Sequence, residues 1–245
     1  MTGLGTIVNA VLVVVGSILG LTLKSGIPER FKTTIMQAIS LSVIFIGISG
    51  VLQGMFKVLS NGKIDRQFIM LMIFSLVIGG VFGEILKIED FLESFGERIK
   101  MSISRFIKSE NSTFTEGFVT ASLVFCVGAM AIVGSLEDGL EHNYSILFAK
   151  SILDGITSII FSATLGIGVM FSSITILLYQ GSITLLAGFV KPFLTDTVVQ
   201  QMSMVGSVLI FAIGLNMLGV SKIKVGNLLP AIFGPVVWYI INCLI

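Results

Sequence analysis

The chain has 245 residues, 54% of them hydrophobic and only 12% charged, with a mean hydropathy of +1.03. A soluble domain needs roughly a quarter of its residues charged to clothe its surface. A water-soluble enzyme is therefore excluded, and an integral membrane protein remains. The net charge of +1 carries no basic excess of the kind nucleic acid attracts.

The charges punctuate long apolar blocks. Residues 1–23, 33–56, 67–83, 117–136, 197–221 and 225–245 carry none, and between 151 and 190 there is only Asp154. A hydrocarbon core of ~30 Å asks for helices of about 20 apolar residues. That rule gives eight spans, at about 3–23, 35–56, 67–87, 117–136, 146–165, 167–189, 203–219 and 226–244. The short alternating segments of a membrane β-barrel are not seen. The expected fold is an all-α polytopic membrane helix bundle, a single transmembrane domain over residues 1–245.

In chain order, the first span holds Asn9 and the pair Gly16 and Gly20. It has no basic segment before it, its apolar run is long, and Lys24 and Arg30 follow, so it reads as a span and not a cleaved signal. Gly50/Gly54 and Gly79/Gly83 repeat the four-residue glycine spacing in the second and third spans. Such spacing suits close helix packing within the chain or a homodimer. The connection after the third span is the most charged part of the chain. Between its acids and bases, Ile88, Phe91, Leu92, Phe95, Ile99, Ile103, Phe106 and Ile107 recur at helical spacing. This predicts an amphipathic helix over 88–107, lying on the membrane face.

The fourth span ends in a dense motif, from Cys126 to Leu140. Gly128, Ala131, Gly134 and Ser135 are small enough to admit another backbone, and Glu137 and Asp138 stand at the end before Gly139. Two adjacent carboxylates beside a breakable backbone suit a cation or a proton relay, or else simply a solvated helix end. The fifth span carries Asp154, with Lys150 at i−4 and Thr157 and Ser158 beyond it. An ionisable group inside a span is a functional candidate by default. The plainer reading is a Lys150–Asp154 pair at the interface.

In the sixth span, Tyr179-Gln180-Gly181-Ser182 is where a helix could unwind into two halves and offer backbone groups to a solute. Gln37 and Gln53 bound the second span, Asn216 lies in the seventh, and Asn227 opens the eighth ahead of Pro230 and Pro235. Buried amides also serve as interhelical hydrogen bonds. Cys126 and Cys243 sit in apolar runs and read as small packing residues. His142 alone makes no His-rich metal site. No GxSxG, HExxH or P-loop pattern occurs, so neither an enzyme nor a bound cofactor is expected.

Two internal echoes are visible. A shift of 165 lays Gly16-Ser17-Ile18 on Gly181-Ser182-Ile183 and Ser42-Val43 on Ser207-Val208. A shift of 118 lays Val15-Gly16-Ser17 on Val133-Gly134-Ser135 and Lys32 on Lys150. Either shift moves the chain by an odd number of spans, which makes the copies inverted, as in many secondary transporters. Loops 1–2, 3–4 and 7–8 hold ten Lys and Arg residues, the opposite side five. That places both termini outside.

The stretches Gly3–Asn9, Cys126–Leu140, Lys150–Gly155, Tyr179–Ser182 and Asn227–Ala231 together resemble the YdfK/YqgA-like family of bacterial inner-membrane proteins, a family of unknown function. The resemblance runs along nearly the whole chain. It implies a multi-pass protein of the bacterial plasma membrane and supplies neither substrate nor catalytic residues. The leading expectation is a transport protein for a small solute or ion, coupled to protons or cations through its carboxylates. Its pathway residues would be Asn9, Glu137, Asp138, Asp154, Gln180 and Asn216. Its packing positions would be Gly16, Gly20, Gly128, Gly134, Ser135 and Gly181. Its partners would be the lipid bilayer and, through the glycine faces, a second copy. The alternatives are a scaffold or sensor that uses the 88–107 helix as its output, and an intramembrane enzyme.

Overall fold

The computed structural model describes residues 1–24, 29–58, 62–103, 114–126 and 129–244. Helix dominates, because backbone groups in hydrocarbon must be satisfied within their own segment. The order is α1 (Leu4–Lys24), α2 (Glu29–Met55), a hairpin of β1 (Phe56–Val58) and β2 (Ile64–Arg66), then α3 (Ile69–Leu86), α4 (Ile88–Ile103), α5 (Phe114–Cys126) and α6 (Ala129–Glu141). There follow α7 (Ser145–Leu165), α8 (Gly168–Leu185), the short α9 (Ala187–Val190), α10 (Asp196–Met217), a 3-10 stretch at Gly226–Phe233, and α11 (Gly234–Leu244). Among the described residues, seven segments are long and apolar enough to cross a membrane: Leu4–Leu23, Thr33–Met55, Ile69–Leu86, Ser145–Leu165, Gly168–Leu185, Asp196–Met217 and Gly226–Cys243. Phe114–Cys126 and Met130–Glu141, bent by 63°, make an eighth if counted as one span.

These segments match the eight sequence spans with instructive differences. The interrupted span is the fourth, not the sixth. α8 runs unbroken through Tyr179–Ser182, and the Ser182 hydroxyl donates back to the Tyr179 carbonyl at 2.8 Å. A single helical glycine costs about 1 kcal/mol against alanine, too little to break a packed helix. The seventh span begins at Asp196 and not at 203, with the Thr195 side chain capping it by accepting from the Val198 N–H at 3.3 Å. Its polar first turn, Asp196–Gln201, hides the start from a hydropathy reading. The eighth opens as 3-10 helix around Pro230, which has no N–H to donate. The hairpin, paired Phe56 to Arg66, was not anticipated. The amphipathic helix is present as α4, and the rest of its expected range, 104–107, lies outside the described residues.

The chain forms two compact units. The first comprises Met1–Ile35, Asp90–Cys126 and Met130–Val190; the second is chiefly Met36–Glu89 and Lys191–Ile245.

In the first unit α1 lies along α7. A side chain at Gly16 would strike the Gly155 carbonyl and the Ser158 hydroxyl, and one at Gly20 the Ile159 carbonyl. Gly5, the second residue of α1, would meet Leu147 near the start of α7 at 2.7 Å. Contacts rise in step along both helices, so the pair is parallel. α5 and α8 are also parallel: Gly168 faces Phe114, and Ser122 donates to the Thr175 hydroxyl at 3.0 Å. Helices running the same way through one membrane need an odd number of crossings between them. Counted as one span, the bent α5–α6 pair gives with the candidate spans α2 and α3 the odd number that lies between α1 and α7 in the chain. Phe114, Phe118, Phe125 and Phe161 fill the apolar interior. α4 rests on it through Gly96 and through Phe95, whose ring lies 5.9 Å from that of Phe118.

In the second unit the pairs are antiparallel. Gly47 faces Phe211, Gly50 faces Ser207 and Gly54 faces Met204, joining α2 to α10. Gly79 faces Ala231 and Gly83 faces Asn227, joining α3 to the 3-10 stretch. The three glycine pairs read from the sequence are thus taken up inside the units. Phe45 on α2 and Phe74 and Phe82 on α3 are exposed.

Candidate functional site

Three helices of the first unit turn small and polar residues toward one another. On α1 these are Thr6, Asn9, Gly16, Ser17 and Gly20; on α7, Lys150, Ser151, Asp154, Gly155, Ser158 and Ser162; on α8, Ser173, Gln180 and Thr184. Steps of three and four put each set on one helix face. From Thr6 to Ser17 the seam climbs about 16 Å, half the hydrocarbon thickness.

Asn9, Lys150, Asp154 and Gln180 meet at its centre. The Lys150 ammonium donates to both Asp154 oxygens, at 2.9 Å to Oδ1 and 2.7 Å to Oδ2. Asn9 Nδ2 donates to Asp154 Oδ2 at 3.0 Å and, more weakly, to Gln180 Oε1 at 3.4 Å. Asn9 and Gln180 are wholly enclosed, and Asp154 is 7% exposed. The carboxylate fixes both amide orientations. A turned Asn9 would point its oxygen at Asp154, and a turned Gln180 would set donor against donor. Two amide atoms are consequently left over: Asn9 Oδ1 and Gln180 Nε2 are buried with no hydrogen-bond partner. The hydroxyls of Thr6, Ser17, Ser135, Ser162 and Thr184 share that condition. A buried unpaired polar group costs ~1–3 kcal/mol, and seven in one half of a small membrane protein demand an account.

The other expected pathway residues are engaged elsewhere. Asp138 is completely buried, but its oxygens accept from the backbone N–H groups of Gly3 at 2.8 Å and Gly5 at 3.0 Å. It caps the start of α1 from α6, where the helix dipole favours an anion. Glu137 turns the other way and accepts from Asn143 at 2.9 Å. Adjacent residues on a helix point about 100° apart, so the two carboxylates do not form one site. Asn216 belongs to the second unit. Its side chain donates to the Ile223 carbonyl at 2.7 Å and accepts from Ser221 and from the Ile223 N–H, closing the loop after α10. At the end of α3 the exposed Glu84 pairs with exposed Lys224 at 2.9 Å and accepts from the buried Asn227 amide.

Of the packing positions, Gly16 and Gly20 lie in the α1–α7 contact, Gly134 faces Leu147 at 2.9 Å, and Ser135 is buried. Gly128 lies outside the described residues. At Gly181 a side chain would meet nothing within 4 Å. It is an open position on a continuous helix, not a close approach within the chain. Gly139, which packs against the Thr184 carbonyl, filled that role unexpected. The unpartnered hydroxyls of Thr6 and Thr184 were not singled out, although they stand three residues from Asn9 and four from Gln180.

A family model described as "Protein of unknown function (DUF554)" matches residues 4–240. The chain is 34% identical to the "Uncharacterized membrane protein YdfK" of Bacillus subtilis, over 97% of this chain and 96% of that protein. It is 29% identical to the "Uncharacterized protein YqgA" of Escherichia coli, over 94% and 93%. No solved structure matches it.

Proposed function

Since the chain belongs to the DUF554 family, a family of membrane proteins, we propose that it carries a small solute or ion across the bacterial plasma membrane through the polar seam of its first unit. The observation that carries this reading is the set of seven buried polar atoms without hydrogen-bond partners among the described residues, all along α1, α6, α7 and α8. A bundle built only to be stable gains nothing by holding unpaired polar groups in its interior. A carrier needs them, because the solute or water of another state completes them.

The span pairing supports the inverted repeat in the 165-residue register. α1 meets α8 through Asn9 and Gln180, α2 meets α10, and α3 meets the 226–233 stretch. These are the first and sixth, second and seventh, and third and eighth spans, each pair antiparallel. Copies related by a two-fold axis in the membrane plane pack in this manner, and carriers of that plan bind solute between the copies. Lys and Arg distribution supports termini on the outer side. The engagement of Asp138 by α1 and of Asp154 by Lys150 speaks against two free carboxylates acting on one reacting group, which an intramembrane enzyme requires. A scaffold with α4 as its output surface leaves the seven unpaired atoms without a purpose.

The test is flux in proteoliposomes across a panel of small solutes and ions, with Asp154→Asn and Asn9→Ala as variants. The expected result is protein-dependent flux of at least one species, lost in both variants. Flux equal to that of protein-free vesicles for every species would remove the transport reading.

A further inference from the structure

Each buried charge of the first unit is already answered. The buried charged side chains among its described residues are Asp138, Lys150 and Asp154. Asp154 has Lys150 and Asn9; Asp138 has two backbone N–H groups at the positive end of α1. The seam is close to neutral as it stands. A net-charged solute entering it would leave water for a low-dielectric interior with no free counter-charge, the situation in which desolvation outweighs attraction.

What is left open is uncharged. Asn9 Oδ1 is an acceptor without a donor, and Gln180 Nε2 a donor without an acceptor. They belong to adjacent amides joined by one long bond of 3.4 Å. Two primary amides can form a ring of two hydrogen bonds, and this pair makes only one of them. Thr6 stands one turn from Asn9 on α1, and Thr184 one turn from Gln180 on α8. Both hydroxyls are buried, unpartnered and able to donate or accept.

The geometry points to a recognition site between α1 and α8 for an uncharged solute that carries a hydrogen-bond donor beside an acceptor, of which a primary amide or urea is the simplest form. This rests on the transport reading and names its solute class. Asn9 Oδ1 accepts from the solute N–H, Gln180 Nε2 donates to the solute oxygen, and Thr6 and Thr184 adapt to what remains. Lys150 and Asp154 are positioning residues: they hold the Asn9 nitrogen and thereby commit its oxygen to the solute. Because these atoms are now enclosed, α1 and α8 part to admit it.

The experiment is stopped-flow light scattering of proteoliposomes under gradients of acetamide, urea and glycerol, with tracer flux of sodium, potassium and phosphate in parallel. At least one neutral solute is expected to cross about tenfold faster than through protein-free vesicles. Gln180→Leu and Asn9→Leu each remove that gain, since losing one well-placed hydrogen bond is worth about tenfold. Thr184→Val, nearly isosteric, lowers the rate severalfold and guards against a folding defect in the larger changes. Flux of ions but of no neutral solute overturns this inference and leaves the transport reading standing. So does neutral flux indifferent to Asn9 and Gln180. Absence of all flux removes both.

Discussion

The two units of this protein solve the same packing problem and differ in what they leave unsolved. Both bring helices together by setting glycines against a neighbouring backbone: Gly16 and Gly20 in the first, Gly79 and Gly83 in the second. In the second unit the faces so joined are completed by Met204, Ser207, Phe211, Asn227 and Ala231. Its polar side chains are paired: Ser40 and Ser207 donate to carbonyls of their own helices, and Glu84 pairs with Lys224 and Asn227. In the first unit the facing positions are Asn9, Asp154, Ser158, Ser162 and Gln180. All seven buried unpartnered polar atoms of the described residues lie there. Close packing alone therefore does not mark a site. Polarity that packing leaves unpaired does.

The largest way to break this contrast is to remove half of the central ion pair. Lys150→Met or Asp154→Leu leaves one charge alone in hydrocarbon. The expected loss is about 3–5 kcal/mol, while the double variant, apolar on both sides, recovers most of it. Thermal unfolding in detergent, followed by loss of a monodisperse size-exclusion peak, measures all three. A double variant no better than the worse single one would show that the pair is not acting as a unit.

Next come the glycines, where the units should behave alike. Gly16→Ala and Gly79→Ala each drive a methyl into a facing backbone and are expected to lose about 1–3 kcal/mol by overpacking. Gly181→Ala, with open space around it, is expected to gain up to about 1 kcal/mol from helix propensity. A Gly181 variant as damaging as the other two would mean that its face is covered by something beyond this chain.

How much of this the sequence carried depends on the kind of signal. Span positions followed from charge depletion, because the hydrocarbon acts on every residue in turn. The break in the fourth span and the early start of α10 did not, since both lie where polar or small residues blur the apolar run. At the site, Asn9, Asp154 and Gln180 were legible as amides and a carboxylate out of place in a span. That they meet was not legible, because Asn9 and Asp154 are 145 positions apart. Asp138 shows the converse. Its residue type suggested coupling, while its use as a cap for α1 depends on a backbone it reaches only in three dimensions.

The smallest expected effect separates the units most cleanly. Ser17 and Ser162 have buried hydroxyls with no partner, whereas Ser207 donates to the Ser203 carbonyl at 2.7 Å. Replacing an unpaired buried hydroxyl by a methyl-sized group discards a desolvation penalty. Replacing a paired one discards a bond worth about 1 kcal/mol. Ser17→Ala and Ser162→Ala should therefore be neutral or stabilising by up to about 1 kcal/mol, and Ser207→Ala destabilising by a similar amount. Melting temperatures in one detergent resolve differences of that size. The same two first-unit variants should slow flux in proteoliposomes even as they raise stability, because what they delete is a group kept for a passing solute. If they weaken the fold as Ser207→Ala does, their hydroxyls are already at work in the resting protein, and the seam is packing after all.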